Sequence, residues 1–431
     1  MDGDGRTYSP LLQAAGAEFD QIQDRDDDWA TVIEEVSGSG NLLERFEYVA
    51  GFFFMHEKGE SIIDVLLGPD ASPALQAAGD SLVHPARFER NTSYAFFGDA
   101  RLALLPSVHL VGGFRAGVDH KKTLLRDDGL LGFQRIANQY SALGDPNCHV
   151  PAQKFTAVSP KGGIEWDLFE DGLLYVQYQQ GTKPGGANAN ACIQLFDAEK
   201  VKAVEGGVKL AFLDGRAGAN ASVFHYDYEN YQLFQIEPPA TAVIVNAPKA
   251  TVLGGELEAA ASPFEFLSLD LGLSLLDAQY NRFVQDDPIV AGSQMEDLSG
   301  NRLSRAPKYT INGGVELTLP VHRSVLGDVK LRGEARRVDD LYFRQFNRDF
   351  DRQNAYTTGD VVVLLRSESG RFALRGFVKN VGDARYILSQ LASPADPLFT
   401  ANPANATTGA GAFYGLYGPP RTWGVELTAY F

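Results

Sequence analysis

The final eleven residues, Arg421-Thr-Trp-Gly-Val-Glu-Leu-Thr-Ala-Tyr-Phe431, alternate apolar and polar side chains and end on a phenylalanine. Successive side chains of a strand point to opposite faces. Trp423, Val425, Leu427, Ala429 and Phe431 therefore share one face, and Gly424, Glu426, Thr428 and Tyr430 share the other. Aromatic ends with aliphatics between them are the profile of a strand crossing a bilayer, with a ring at each interface. The pattern predicts a membrane-inserting terminal strand, with Trp423, Val425, Leu427 and Phe431 towards lipid.

The same alternation recurs upstream. Leu267-Ser-Leu-Asp-Leu-Gly-Leu-Ser-Leu275 has leucine at every odd position and Ser268, Asp270, Gly272 and Ser274 opposite. Period two separates these sets cleanly and a helical period does not. Tyr309, Ile311, Gly313, Val315, Leu317 and Leu319 likewise face away from Lys308, Thr310, Asn312, Glu316 and Thr318. Most informative is the row Asp328, Lys330, Arg332, Glu334 and Arg336, opposite Val329, Leu331 and Ala335. The buried core of a sandwich cannot hold such a row, whereas a watery lumen can. Arg371, Arg375 and Lys379 follow on a nearby strand. Hydrated residues of mixed sign account for most of this row.

The punctuation supports one architecture. Tight turn signals at Glu170-Asp-Gly172, Asp214-Gly215, Pro263 and Ser367-Glu-Ser-Gly370 alternate with long connections near 57–91, 119–155, 183–199, 229–249, 281–305, 339–353 and 382–420. Short turns at one end and long loops at the other are the asymmetry of an outer-membrane barrel. The predicted strands are 28–37, 45–56, 92–105, 107–118, 156–169, 172–182, 200–213, 215–228, 250–261, 265–280, 306–319, 325–338, 354–367, 371–381 and 421–431. This makes about fifteen, an odd number where bacterial single-chain barrels use even ones. Counted back from Phe431, the first strand runs downward from an external loop and presents an unpaired edge.

Several function classes fall away. With 38 basic and 55 acidic residues the formal charge is −17, against the basic patches that nucleic acid requires. Asp20, Asp24, Asp26, Asp27 and Asp28 crowd the start and read as a solvated loop. No apolar run reaches the roughly 18 residues of a helical span, and the first thirty residues show no export signal. Seven histidines (His56, His84, His109, His120, His149, His225, His322) lack zinc spacing. There is no G-x-S-x-G elbow and no phosphate-binding loop. The expectation is no enzyme, no metal site and no cofactor. Cys148 and Cys192 are too few for a disulfide scaffold; one bridge and two free thiols stand as equal alternatives.

Arg305-Ala-Pro-Lys-Tyr-Thr310, Lys379-Asn-Val-Gly-Asp-Ala-Arg-Tyr386 and Gly418-Pro-Pro-Arg421 with the strand that follows it resemble, in order, late barrel segments of TonB-dependent outer-membrane receptors. Val158-Ser-Pro-Lys-Gly-Gly163, Leu174-Tyr-Val-Gln-Tyr178 and Gly181-Thr-Lys-Pro-Gly-Gly186 resemble an earlier hairpin of that family, and Glu205–Lys209, Asp214–Arg216 and Gly255–Glu258 continue its order. Each motif alone is weak, but their order is specific, and the resemblance covers the chain from about residue 28. It implies an all-β, antiparallel transmembrane β-barrel, here incomplete, with about fifteen strands of the roughly twenty-two in the plugged class of transporter. Residues 1–27 are then the remnant of an extracellular loop and 28–431 the C-terminal part of the barrel. Secretion signal, TonB-contacting box, plug and first strands are expected to be absent, with Met1 an internal or miscalled start.

The resemblance also implies a function: uptake of a scarce ligand such as an iron–siderophore complex across the outer membrane of a Gram-negative bacterium, energised through the TonB complex by way of a plug. The expected partners are outer-membrane lipid and a small-molecule metal chelate. Asp328, Lys330, Arg332, Glu334, Arg336 and Arg375 would face the lumen and plug. The loop aromatics and arginine Tyr342, Phe343, Arg344, Phe346, Phe413, Tyr414 and Tyr417 are candidates for a ligand mouth, with packing inside the loops as the competing explanation. A passive pore, a barrel segment completed by another chain and a non-functional truncated product are the alternatives.

Overall fold

The computed structural model describes residues 7–8, 20–42, 45–67, 81–83, 85–127, 147–188, 194–237, 241–290, 293–323, 326–393 and 412–430. Fifteen long strands form one antiparallel meander. They are β1 (Asp20–Leu42), β2 (Phe46–Leu67), β3 (Pro85–Leu105), β4 (Val108–Asp127) and β5 (Gln153–Phe169). β6 (Gly172–Lys183), β7 (Glu199–Phe212), β8 (Ala217–Glu237), β9 (Thr241–Phe264) and β10 (Leu267–Arg282) follow. The last are β11 (Tyr309–Arg323), β12 (Leu326–Val338), β13 (Tyr356–Ser367), β14 (Phe372–Lys379) and β15 (Thr422–Ala429). Each pairs with its neighbours in sequence, and among the described residues no ladder joins β1 to β15. Every strand expected from alternation corresponds to one of these.

Register carries the apolar pattern around the sheet. Leu257 stands opposite Leu273, Leu269 opposite Val315, Leu317 opposite Leu331, Leu331 opposite Val363, Leu365 opposite Leu374, and Leu374 opposite Leu427. On the first strands the same face holds Phe46, Phe52, Phe54, Tyr94 and Phe96. Trp423, Val425 and Leu427 are 78%, 70% and 71% exposed, an apolar surface far too continuous for water. From Leu267 to Leu275 the strand rises roughly 26 Å, comparable with the apolar band of an outer-membrane barrel. Acyl chains are the solvent that fits. None of the described helices is long and apolar enough to cross a membrane; the strands do so.

Two-residue turns close the other end. Pro106 and Ser107 join β3 to β4, Glu170 and Asp171 join β5 to β6, and Glu265 and Phe266 join β9 to β10. The β7–β8 turn puts Leu213, Asp214 and Gly215 at φ of 57°, 54° and 78°, the left-handed conformation that Asp and Gly tolerate best. Gly370 (φ 69°) does the same between β13 and β14.

The opposite end differs from expectation. Residues 229–249 and much of 57–91 read as long connections, but β8 and β9 stay paired up to Glu237 and Thr241, and β2 and β3 up to Ile62 and Ala86. The first strand begins at Asp20 rather than near 28. Alternating β-formers such as Tyr231, Leu233, Val243 and Val245 let these ladders continue beyond the apolar band. Opposite Asn230 stands Pro248, which offers no N–H; Asn230 leaves the ladder with φ 55° and the pairing resumes at Tyr231 and Ala247.

Leu271 lies on the apolar face and Ser274 on the other, opposite Glu256 and Thr310. Leu271→Arg should therefore cost about 2–4 kcal/mol in reversible denaturation from lipid vesicles, and Ser274→Arg less than about 1 kcal/mol. Equal penalties at the two positions would contradict the assignment of faces.

Candidate ligand mouth and lumen wall

The polar face is held by ion pairs between strands. Lys330 Nζ lies 3.0 Å from Glu316, Arg332 Nη2 2.9 Å from Asp270, and Arg375 Nη1 3.5 Å from Glu426. Arg332 Nε also donates to Glu334, and the Arg375 guanidinium sits 4.9 Å from the centre of the Phe377 ring. Arg336 stands opposite Asn312 and Thr358, and Asp328 opposite Pro320 and Arg366 near the turn end. All six expected lumen residues share this face. Glu316 and Glu426 come from adjacent strands, and Asp270 reaches Arg332 from the next strand but one, across Gly314. The wall is thus of mixed sign, with most charges paired across the ladders.

At the outer end, residues 283–290, 293–308 and 339–355 fold onto β8–β10. Tyr280, Phe283, Leu298, Leu303 and Phe346 pack with Leu233, Ala247, Ala250 and Ala278 into a buried cluster. Around it runs a polar network centred on Arg344. Its Nε and Nη2 reach Asp351 at 2.6 and 2.9 Å, and its Nη1 reaches Asp287 at 2.7 Å. Both aspartate side chains are fully buried. Arg348 approaches Asp287 and pairs with Glu296. Gln345, also buried, donates to Gln235 at 3.0 Å and Gln285 at 3.1 Å.

This chemistry sets the titration of the platform. Burial pushes the Asp351 carboxyl above its ordinary value, against the hydrogen bonds and charge of Arg344. Burial would lower the Arg344 pKa, but the hydrogen bonds it donates to Asp287 and Asp351, with their charges, more than offset this and raise the value. Asp340 shows the reverse balance: burial works against its ionised form, and the charges of Arg302 and Arg352 still hold its pKa below the ordinary value.

The candidate mouth residues accordingly divide. Phe343 and Phe346 are buried, and Arg344 is committed to its two aspartates. Tyr342 is half-buried under the Arg302 guanidinium, whose carbon lies 5.5 Å from the ring centre. Tyr417 is 64% exposed. It ends the segment Ala412–Tyr417, which pairs with Ile387–Ser393 as a second hairpin. Phe413 and Tyr414 lie on that segment, but their side chains are outside the described residues, as are Cys192, Phe431 and the side chain of Cys148.

Two of the segments that carry the family resemblance meet in space. Asn380, at φ 49°, accepts from the Ala384 N–H at 2.9 Å and donates to the Ala384 and Pro419 carbonyls at 3.0 and 3.1 Å. Asp383 accepts from the Arg421 N–H at 3.0 Å. The Asn-x-x-Asp and Pro-Arg motifs thus tie the outer end of β14 to the start of β15. Among the described residues no group of three or more histidine, cysteine or acidic side chains is placed to hold a metal.

Arg344→Met leaves two buried aspartates without their partner. It should destabilise the platform by about 3–5 kcal/mol, read as protease cleavage within 283–308 and 339–355 while the membrane-embedded ladders stay protected. Unchanged resistance would contradict the platform. For Asp340 the folded pKa lies below the unfolded one, so its contribution is complete above about pH 4 and is lost as pH falls through the folded value. Asp340→Asn should flatten the acid limb of loop opening, measured by hydrogen exchange between about pH 5 and 2.

Comparison with known proteins places this geometry. Residues 3–381 match the sequence model of the family described as "TonB dependent receptor-like, beta-barrel". A probable TonB-dependent siderophore receptor, PiuA of Acinetobacter baumannii, is 26% identical over 160 residues, covering 35% of this chain and 21% of that protein. A metal-pseudopaline receptor, CntO of Pseudomonas aeruginosa, is 27% identical over 154 residues, or 36% and 20% of the two chains. The ferric yersiniabactin uptake receptor FyuA of Yersinia pestis superposes with TM-score 0.72 at 18% identity, covering 96% of this chain and 57% of its own. The aligned regions thus span about a fifth of these curated relatives and somewhat over half of that solved barrel. The chain belongs to the β-barrel family of TonB-dependent outer-membrane receptors.

Proposed function

We propose that this chain supplies barrel wall and extracellular loops for active uptake of a scarce ligand, a metal chelate of the siderophore class, across the outer membrane of a Gram-negative bacterium. One observation carries the reading: a wet face of paired charges lies behind an apolar belt and leads to a rigid loop platform at one end only. A passive pore needs the first two features but not a platform held by fully buried ions. The family supports the substrate class, as do the roles of PiuA as a probable siderophore receptor, CntO as a metal-pseudopaline receptor and FyuA as a ferric yersiniabactin uptake receptor.

In this reading Tyr342, Tyr417, Phe413 and Tyr414 offer flat surfaces to an incoming chelate. Phe343, Arg344 and Phe346 act from beneath and hold the platform in place. Asp328, Lys330, Arg332, Glu334, Arg336 and Arg375 line the passage and offer charge-assisted hydrogen bonds to a plug domain. Coupling to the TonB complex runs through that plug.

The test is uptake of radiolabelled ferric siderophores by iron-starved cells, with and without the gene that encodes this chain. Loss of transport for one chelate, restored by the gene and abolished by a protonophore, is the expected result. Uptake that persists without proton-motive force would instead support a passive pore. Tyr417→Ala should weaken binding of that chelate about tenfold, as expected for loss of an aromatic contact worth roughly 1 kcal/mol or more.

A further inference from the structure

The second hairpin carries a surface that the platform beside it does not explain. Its strands, Ile387–Ser393 and Ala412–Tyr417, lie beyond the Asn380 tie at the outer end of β14, clear of the apolar belt. Water meets this surface, yet Leu388, Leu416 and Tyr417 are all exposed. Ile387 stands opposite Tyr417 and Ser389 opposite Leu416, which leaves Leu388 as an extra residue with no counterpart. A bulge of this kind re-aims a side chain, and here the re-aimed side chain is aliphatic. Apolar groups gathered in water outside a membrane mark a surface that something covers.

The hairpin meets the platform along a polar seam. The Ile387 N–H donates to Gln353 Oε1 at 2.7 Å, and Gln390 Nε2 donates to the Phe350 carbonyl at 2.9 Å. The exposed Phe350 thus borders the strand that carries Leu388. Arg305 Nη2 donates to Ser389 Oγ at 2.9 Å. Arg305 is unlike the other arginines here. Arg302, Arg344, Arg348 and Arg352 each pair with a carboxylate, whereas Arg305 has no such partner among the described residues. Its backbone is left-handed, at φ 59°, and its N–H is held by the Tyr342 carbonyl at 2.7 Å. That conformation costs free energy for a residue with a side chain, and the fold maintains it where the guanidinium enters the seam.

We propose that the seam binds an amphiphilic metal chelate, with an anionic head that carries an aliphatic chain. Arg305 and Ser389 hold the head through charge-assisted hydrogen bonds, and Leu388, Leu416, Tyr417 and Phe350 cover the chain. The uncompensated guanidinium selects the charge. The aliphatic side chains select the tail, because each methylene fully removed from water strengthens binding about fourfold. Bilayer lipid is the wrong occupant at this height, since the hairpin stands outside the belt. This ligand class rests on the uptake reading and narrows it.

The experiment is binding of radioiron chelates to cells that express the protein, with a protonophore present so that binding is read without transport. The probes are the iron(III) complex of a citrate-based dihydroxamate with an octanoyl chain, the same complex with acetyl in its place, and an octanoylated, uncharged trihydroxamate. The parent should bind the octanoyl citrate complex about tenfold or more tighter than the acetyl one. Leu388→Ser with Leu416→Ser should abolish that preference and leave acetyl affinity unchanged, while Phe234→Ser, at an exposed apolar position on β8, should bind like the parent. Arg305→Gln should weaken both citrate complexes and spare the uncharged one, with Arg305→Lys restoring most of the loss. Equal affinity of the parent for octanoyl and acetyl complexes, or a preference that survives the double variant, would overturn the seam. Displacement by equimolar octanoate would overturn the chelate as occupant in favour of a fatty-acid anion. Tail-dependent binding without energised uptake would sink the uptake reading and leave the seam standing; energised uptake without tail preference would do the reverse. Should the double variant fail to fold, as judged by heat-modifiable electrophoretic mobility, Leu416→Ala alone must show a reduced preference.

Discussion

Backbone hydrogen bonding in a medium that offers none is the constraint from which the rest follows. Within hydrocarbon each unpaired amide or carbonyl costs several kcal/mol, so strands must be laddered on both sides wherever lipid surrounds them. Neighbouring ladders here meet that demand from β2 to β14, and among the described residues β1 and β15 are each laddered along their length on one side. Once the ladders are fixed, pleating decides the face of every side chain. A slip of one residue in β10 would turn Leu269, Leu271 and Leu273 towards the water and Asp270 towards the acyl chains. The apolar belt and the ionic wall are therefore two consequences of one register.

Beyond the belt the physics changes. Water again satisfies the backbone, and strands such as β8 and β9 continue only because their own side chains favour it. Order at this end comes from tertiary packing. Tyr280 and Phe346 bury apolar area, and Arg344 neutralises two carboxylates that no solvent reaches. Such a network contributes geometric definition more than net stability. A receptor mouth benefits from that trade, because a preorganised surface loses less entropy when a small ligand binds.

The membrane part of the fold was legible in the sequence because alternation is a local signal. Leu267–Leu275 and Asp328–Arg336 declare both faces of their strands without reference to any partner. The loop platform was not legible in the same way. Tyr342–Phe346 stands out by composition, but Arg344 finds Asp287 across 57 residues of sequence and Asp351 across 7, with no periodicity to announce either. Packing within the loops, the competing explanation for those aromatics, describes Phe343 and Phe346. The cross-strand partners Glu316, Asp270 and Glu426 were likewise hidden until register was known. The extent of the outer ladders was underestimated because Gly, Pro and Asn residues there resemble loop punctuation. Asn230 and Pro248 in fact form one local break in an otherwise continuous hairpin.

The most direct measurement is spin-label accessibility along β10–β12 in lipid vesicles, with Cys148 and Cys192 first replaced by serine. Labels at Leu271, Val315 and Leu331 should collide with dissolved oxygen and be shielded from a water-soluble nickel chelate. Labels at Asp270, Glu316 and Arg332 should show the opposite preference, so that accessibility oscillates with period two along each strand. Shielding of the leucine-side positions from both reagents would mean that those side chains are buried against protein, and would contradict the account.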